Sequence, residues 1–153
     1  MARQLKMLAD RLTLYGALTL LGLYCFTWTL LSIPLYVLLP RGLGTALGRF
    51  TVTTVFHLYG RLLAAVGAYR LDLRAMEALR TGPAVVLAPN HPSLIDALLL
   101  LGEHPNLTCV MKTELMRNVF LGGGARLARY IGNDPPRKMI LEAVASLKRG
   151  AVL

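Results

Sequence analysis

His91 and Asp96 are the residues of this chain whose types and spacing most directly offer chemistry. The histidine stands five residues ahead of the aspartate, just beyond the apolar run Ala84-Val85-Val86-Leu87-Ala88 and Pro89. A carboxylate that holds one ring nitrogen of an imidazole leaves the other ready to take a proton from a hydroxyl. The elements around the pair set its geometry. An apolar pentad bounded by Gly82-Pro83 and Pro89 predicts a buried strand, and Leu94 to Leu101, closed by Gly102, predicts a short buried helix. His91 then falls in the turn between them, with Ser93 as N-cap and Asp96 at the third helical position, its carboxylate directed back toward the turn. The same Ser-x-x-Asp spacing is that of a capping box, in which Asp96 serves backbone donors alone.

Asn90-His91-x-Ser93-x-x-Asp96 after an apolar strand resembles the first signature block of the membrane acyltransferases typified by 1-acylglycerol-3-phosphate acyltransferase. Met111-Lys112-Thr113-Glu114-Leu115 is similar to that family's Lys-x-Glu-Leu segment, and Gly150-Ala151-Val152-Leu153 to the run into its third block. The resemblance covers about residues 60 to 153. It implies that His91 is the general base that activates the hydroxyl of a lysophospholipid for attack on an acyl thioester, and that Asp96 orients it. It implies Asn90, Ser93, Lys112 and Arg137 as substrate-binding residues, acyl carrier protein or coenzyme A as carrier of the acyl co-substrate, and neither a bound cofactor nor a metal.

The chain also departs from the family pattern. Where the second block usually has an aspartate followed by arginine, this sequence reads Ile131-Gly132-Asn133-Asp134-Pro135-Pro136-Arg137, which leaves Arg137 or Lys138 to supply the cation. Asp134 ahead of two prolines and a helical run from Arg137 to Arg149 is, alternatively, an N-cap. The third block, Phe-Pro-Glu-Gly-Thr-Arg, is expected just past Leu153, so the chain reads as the N-terminal part of a longer enzyme.

Composition places the chain at a membrane. Hydrophobic residues make up 55% and charged residues 16%, too apolar for an ordinary soluble domain. From Leu12 to Pro40 no residue is charged, a stretch longer than the ~20 residues a spanning helix needs. It is also too long for a signal-peptide core. Basic residues flank it on both sides (Arg3, Lys6, Arg11; Arg41, Arg49), which suits a hairpin within one leaflet as well as a tilted single span. Leu43 to Val66 predicts a basic helix lying at the headgroups or covering the sheet, its apolar positions Leu47, Val52, Val55, Leu58, Leu62 and Val66. Gly44-x-x-x-Gly48 has helix-contact spacing but lies outside the longest apolar run, so no function is assigned to it.

The net charge of +9, from 17 basic and 8 acidic residues, raises nucleic acid as a partner. The basic residues are scattered singly without aromatic interleaving, which argues against it. An anionic phospholipid bilayer fits better. Arg117, Arg126, Arg129, Arg137, Lys138, Lys148 and Arg149 offer a surface for acyl carrier protein or for coenzyme A phosphates. Cys25 and Cys109 make no disulfide framework, and His91, Asp96, His104 and Cys109 lack metal-ligand spacing. His57 is expected on a polar helix face and His104 in a loop, while Gly122-Gly123-Gly124 predicts a hinge or a close-packing bend.

The expected organisation is a membrane anchor over residues 1–40, an amphipathic helical linker over 41–68 and the first part of an acyltransferase domain over 69–153. The expected fold is α/β, a mixed sheet with flanking helices of the glycerol-3-phosphate acyltransferase kind, behind an N-terminal membrane-embedded helical anchor. The expected function is acyl transfer to a membrane-lipid hydroxyl at the inner membrane, with the catalytic domain facing the cytoplasm. The rival is a non-catalytic, membrane-anchored basic protein that binds anionic lipid.

Overall fold

The computed structural model describes residues 2–68, 70, 72, 74, 76–77, 82–90 and 94–153. His91 and Ser93 lie outside them. Helix dominates, with a small parallel sheet.

Helix α1 (Ala2–Leu38) is continuous through Gly16, Gly22 and Pro34. At 1.5 Å per residue it is roughly 55 Å long, and its segment Gln4–Leu38 is long and apolar enough to cross a membrane. One stripe packs inward: Cys25, Thr29 and Ser32 are buried, with Ala17, Leu21, Tyr24 and Trp28 beside them. This spacing of three and four residues is one face of a helix. The opposite face is bare hydrocarbon, with Leu12, Leu23, Leu30, Val37 and Leu38 all exposed.

The chain turns at Leu39 and Pro40, past the end of the long helix, and α2 (Arg41–Ala65) runs back along α1. The Tyr59 hydroxyl donates to the Ala17 carbonyl at 3.1 Å, and Tyr24 meets Phe56 edge to face at 6.1 Å. The buried stripe of α2 is Gly44, Gly48, Val52, Phe56, Tyr59, Gly60 and Leu63. Of the apolar positions expected either at the headgroups or over the sheet, Val52 is buried, whereas Leu47, Leu58, Leu62 and Val66 are exposed. The glycines explain the difference, because they let a neighbouring backbone come closer than any leucine would. A β-carbon on Gly48 would lie 2.7 Å from the Ala128 amide nitrogen.

Helix α3 (Leu94–Glu103) packs on α2 through Gly102, where a β-carbon would sit 2.8 Å from the His57 amide nitrogen. Strand β1 (Val110–Met111), helix α4 (Thr113–Met116), helix α5 (Gly122–Leu127), strand β2 (Ile131–Gly132) and helix α6 (Pro136–Lys148) follow. The glycine cluster opens α5 and is a close-packing surface: Gly123 faces the Thr29 backbone and Gly124 the Trp28 ring. The Thr29 hydroxyl donates to the Phe120 carbonyl at 2.7 Å, tying α1 to the segment before α5.

Strands β1 and β2 pair in parallel, Val110 with Ile131 and Met111 with Gly132. Leu107 and Val152 form a further parallel bridge. The expected strand over 84–88 is extended here: the Leu87 amide donates to the Leu153 carbonyl at 2.6 Å and the Leu153 amide to the Val85 carbonyl at 3.0 Å. Residues 151–153 therefore lie between 85–87 and 106–108, and every pairing among the described residues is parallel rather than mixed. The expected burial of the run is not met among the described residues: Ala84, Val86 and Ala88 are exposed, and Val85 and Leu87 are half-buried against the core. The core joins Val52, Phe56, Leu98, Leu101, Leu107 and Val152.

Candidate functional site

Parallel strands deliver their carboxyl ends to one edge, where open α/β sheets take ligand. Asn90 follows the extended run 85–87 and is exposed. Asp96 is the third residue of α3, half-buried in its first turn, where a carboxylate is favoured by the helix dipole. The base candidate His91 and the neighbouring Ser93 fall outside the described residues, so the geometry of the expected pair does too.

Lys112 follows β1 directly, is exposed and serves as N-cap residue of α4. Arg137 is the second residue of α6 and is exposed as well. With strands ~4.8 Å apart, the run that ends at Asn90 and the β2 end that leads to Arg137 are separated by roughly 14 Å. The substrate-binding candidates thus spread along the sheet edge.

Between them lies a knot of polar contacts. The Asn133 side-chain oxygen accepts from the Thr113 amide at 3.1 Å and from the Thr113 hydroxyl at 3.4 Å, while the Asp134 amide donates to that hydroxyl at 3.3 Å. These bonds tie the ends of β1 and β2 together. Asp134 does not cap α6, contrary to the N-cap expectation: Pro135 holds that position, and no side chain bonds the free amides there. Pro136 in the first turn removes one of those donors.

A second group was not legible in the residue pattern. His57 Nδ1 lies 2.9 Å from Glu103 Oε1, joining α2 to α3. His104 is buried, and its Nδ1 accepts from the Asn106 amide at 3.1 Å. Both histidines line a cavity of about 580 Å³ with Thr53, Glu103 and Asn106. The two ring partners come from elements 46 residues apart, which sequence spacing does not connect.

Of the scattered cations, Arg126, Arg129, Lys138 and Arg149 come together with Arg41 and Arg49 around a cleft of about 1190 Å³, and Arg117, Arg137 and Lys148 do not. Burial pushes the Arg49 guanidinium below its usual range, a drop that Tyr130 opposes and Arg149 reinforces. Burial likewise raises the Tyr130 phenol and the Cys109 thiol.

No curated protein and no solved structure matches the chain. A model of the family described as Acyltransferase matches residues 70–151, more than half of the chain, and spans the His-x4-Asp segment, Lys112 and the block around Asn133. This chain, with its long apolar helix ahead of a domain built on parallel strand pairs, belongs to the Acyltransferase family.

Proposed function

We propose that this protein transfers an acyl group from a thioester, carried by acyl carrier protein or coenzyme A, to the free hydroxyl of a lysophospholipid or related membrane lipid. The observation that carries the reading is the family match across residues 70–151, which takes in Asn90-His91-x-Ser93-x-x-Asp96. Its support from the fold is local: Asp96 occupies the first turn of the helix that follows the sheet edge. His91 accepts the hydroxyl proton as the oxygen attacks the thioester carbonyl; the carbon–sulfur bond breaks, an ester bond forms, and the proton passes to the leaving thiolate. Asp96 holds the imidazole in the tautomer that leaves the reacting nitrogen free. No bound cofactor takes part. Asn90, Ser93, Lys112 and Arg137 bind the substrates along the sheet edge.

The long apolar helix supports a membrane location; in this reading the membrane is the inner one and the domain lies on the cytoplasmic side, where acyl thioesters are available. The acyl chain then stays in lipid while its hydroxyl reaches the sheet edge, and rate comes mainly from positioning plus base assistance. The test is His91→Ala in folded, membrane-reconstituted protein supplied with a lysophospholipid and an acyl thioester. A fall in turnover of roughly 100-fold or more is expected for loss of a general base; unchanged turnover overturns the reading and leaves a lipid-binding role.

A further inference from the structure

The cleft of about 1190 Å³ lies beside β2, between the α1–α2 corner and α6. Six cations line it, Arg41, Arg49, Arg126, Arg129, Lys138 and Arg149, against two carboxylates, Asp134 and Glu142. The donors that have partners meet mostly neutral oxygens. Arg49 Nε donates to the Ala128 carbonyl at 3.2 Å, Arg126 Nε to the Gly122 carbonyl at 3.1 Å, and an Arg149 terminal nitrogen to the Ser146 hydroxyl at 3.1 Å. Arg129 donates to the Tyr36 hydroxyl at 2.7 Å with its guanidinium 4.3 Å over that ring. Among the described residues none of the five arginines has a carboxylate within ion-pair distance, and Lys138 reaches Glu142 only at 3.9 Å. Arg49 is held half-buried near Arg149, where like charges repel. Such an arrangement is stabilised by an anion with several acceptor oxygens, as a phosphate group has.

The surroundings indicate where that phosphate comes from. Tyr36 and Arg41 place one wall at the corner where the long apolar helix ends. On the same two helices Val37, Leu38, Leu43 and Phe50 are 78%, 77%, 63% and 65% exposed. A free phosphate has no use for such a rim. A lipid in a bilayer does, since its chains cover the apolar side chains while its headgroup meets the arginines. We propose that this cleft is a headgroup site for an anionic phospholipid of the bilayer in which α1 sits. The bound lipid holds the α1–α2 corner against α5 and α6 and fixes the height of the sheet edge above the membrane.

The test uses the whole chain in neutral detergent, with melting temperature followed during titration with dihexanoyl phosphatidylglycerol, dihexanoyl phosphatidylcholine or inorganic phosphate. Phosphatidylglycerol is expected to raise the melting temperature at concentrations where the other two do not. An equal rise with phosphatidylcholine, or with inorganic phosphate, overturns the proposal, the latter in favour of a soluble anion. The variant R41Q/K138Q/R149Q is expected to bind phosphatidylglycerol roughly 100-fold more weakly, at about fivefold per charge removed. R61Q/R117Q/K148Q removes as much charge outside the cleft and is expected to bind as the wild type does. Equal weakening in both overturns a defined site. Should the cleft variant not melt cooperatively, Arg149→Gln alone decides, with about fivefold weakening expected and unchanged affinity overturning the proposal. His91→Ala should leave lipid binding intact, so this proposal and the acyl-transfer reading fail separately.

Discussion

His57 on α2 and Glu103 at the end of α3 meet with 2.9 Å between Nδ1 and Oε1, directly beside the point where Gly102 lets the two helices touch backbone to backbone. The pair therefore clamps the helix that carries Asp96 to α2, the helix that runs back along α1. Its energetic value comes from partial burial: the Glu103 side chain is 14% exposed and the His57 side chain 38%, so removal of the ring takes a donor from a carboxylate with little access to water.

His57→Ala is accordingly expected to cost about 1.5–3 kcal/mol of stability, the range for a hydrogen bond to a charged group. Glu103→Gln combined with His57→Ala should cost less than the sum of the two single changes, because the partners share one interaction. Unfolding in detergent, followed by circular dichroism across the double-mutant cycle, measures this directly. Strict additivity would show that the contact contributes nothing.

Backbone contact between helices predicts a sharper effect at two glycines. A β-carbon on Gly48 would stand 2.7 Å from the Ala128 amide nitrogen, and one on Gly102 would stand 2.8 Å from the His57 amide nitrogen. Backbone cannot swing aside as a side-chain tip can, so Gly48→Ala and Gly102→Ala should each destabilise by about 1–3 kcal/mol or more. Gly42→Ala is the matched control in α2: its added methyl meets nothing within 4 Å and should be neutral or gain up to ~1 kcal/mol from helix propensity. Melting temperatures of the three variants decide the matter, and equal behaviour would contradict the close approach.

Much of the domain was legible because its signals are local. Apolar runs bounded by Pro83, Pro89 and Gly102 announced an extended run and a helix, and the uncharged stretch to Pro40 announced α1. What was not legible depends on partners far along the chain. The packed face of α2 depends on Gly44 and Gly48, which carry no hydrophobic signal yet admit Leu127 and Ala128. Asp134, the alternative N-cap of α6, stands one residue ahead of the cap position that Pro135 holds, and its backbone amide bonds to the Thr113 hydroxyl, 21 positions away in the sequence. The cationic cleft gathers basic residues from α2, from α5 and α6 and from just past those two helices, which composition alone presents as scattered.

Alkaline pH should expose the burial of Tyr130. Its phenol is raised above the ordinary value of 10.0 by burial, further by the neighbouring Cys109, with Arg49 acting in the opposite sense. The unfolded chain then loses this proton near pH 10.0 while the folded chain keeps it, so ionisation favours unfolding. Tyr130 contributes its full stability below that pH, and the contribution declines as pH climbs toward the folded value. Tyr130→Phe is expected to flatten the decline, visible as a smaller fall in melting temperature between neutral and strongly alkaline buffer. Identical slopes in the two proteins would show that the phenol is not protected.

The knot at the sheet edge joins the ends of β1 and β2. Asn133 supplies the oxygen that receives the Thr113 amide at 3.1 Å, and Thr113 is the residue after Lys112. Removing that oxygen loosens the start of α4 and the junction of β1 with β2, at a cost of about 1 kcal/mol for a partly exposed hydrogen bond. If Asn133 acts by positioning the edge on which Lys112 sits, Asn133→Ala should lower kcat of acyl transfer several-fold and leave KM nearly unchanged. Asn133→Asp, which keeps an acceptor at the same place, should recover most of the loss. Steady-state kinetics with lysophospholipid varied at fixed acyl thioester separates this from direct recognition: a raised KM at constant kcat would mean that Asn133 contacts the acceptor itself, since an interaction equal in ground and transition states affects KM alone.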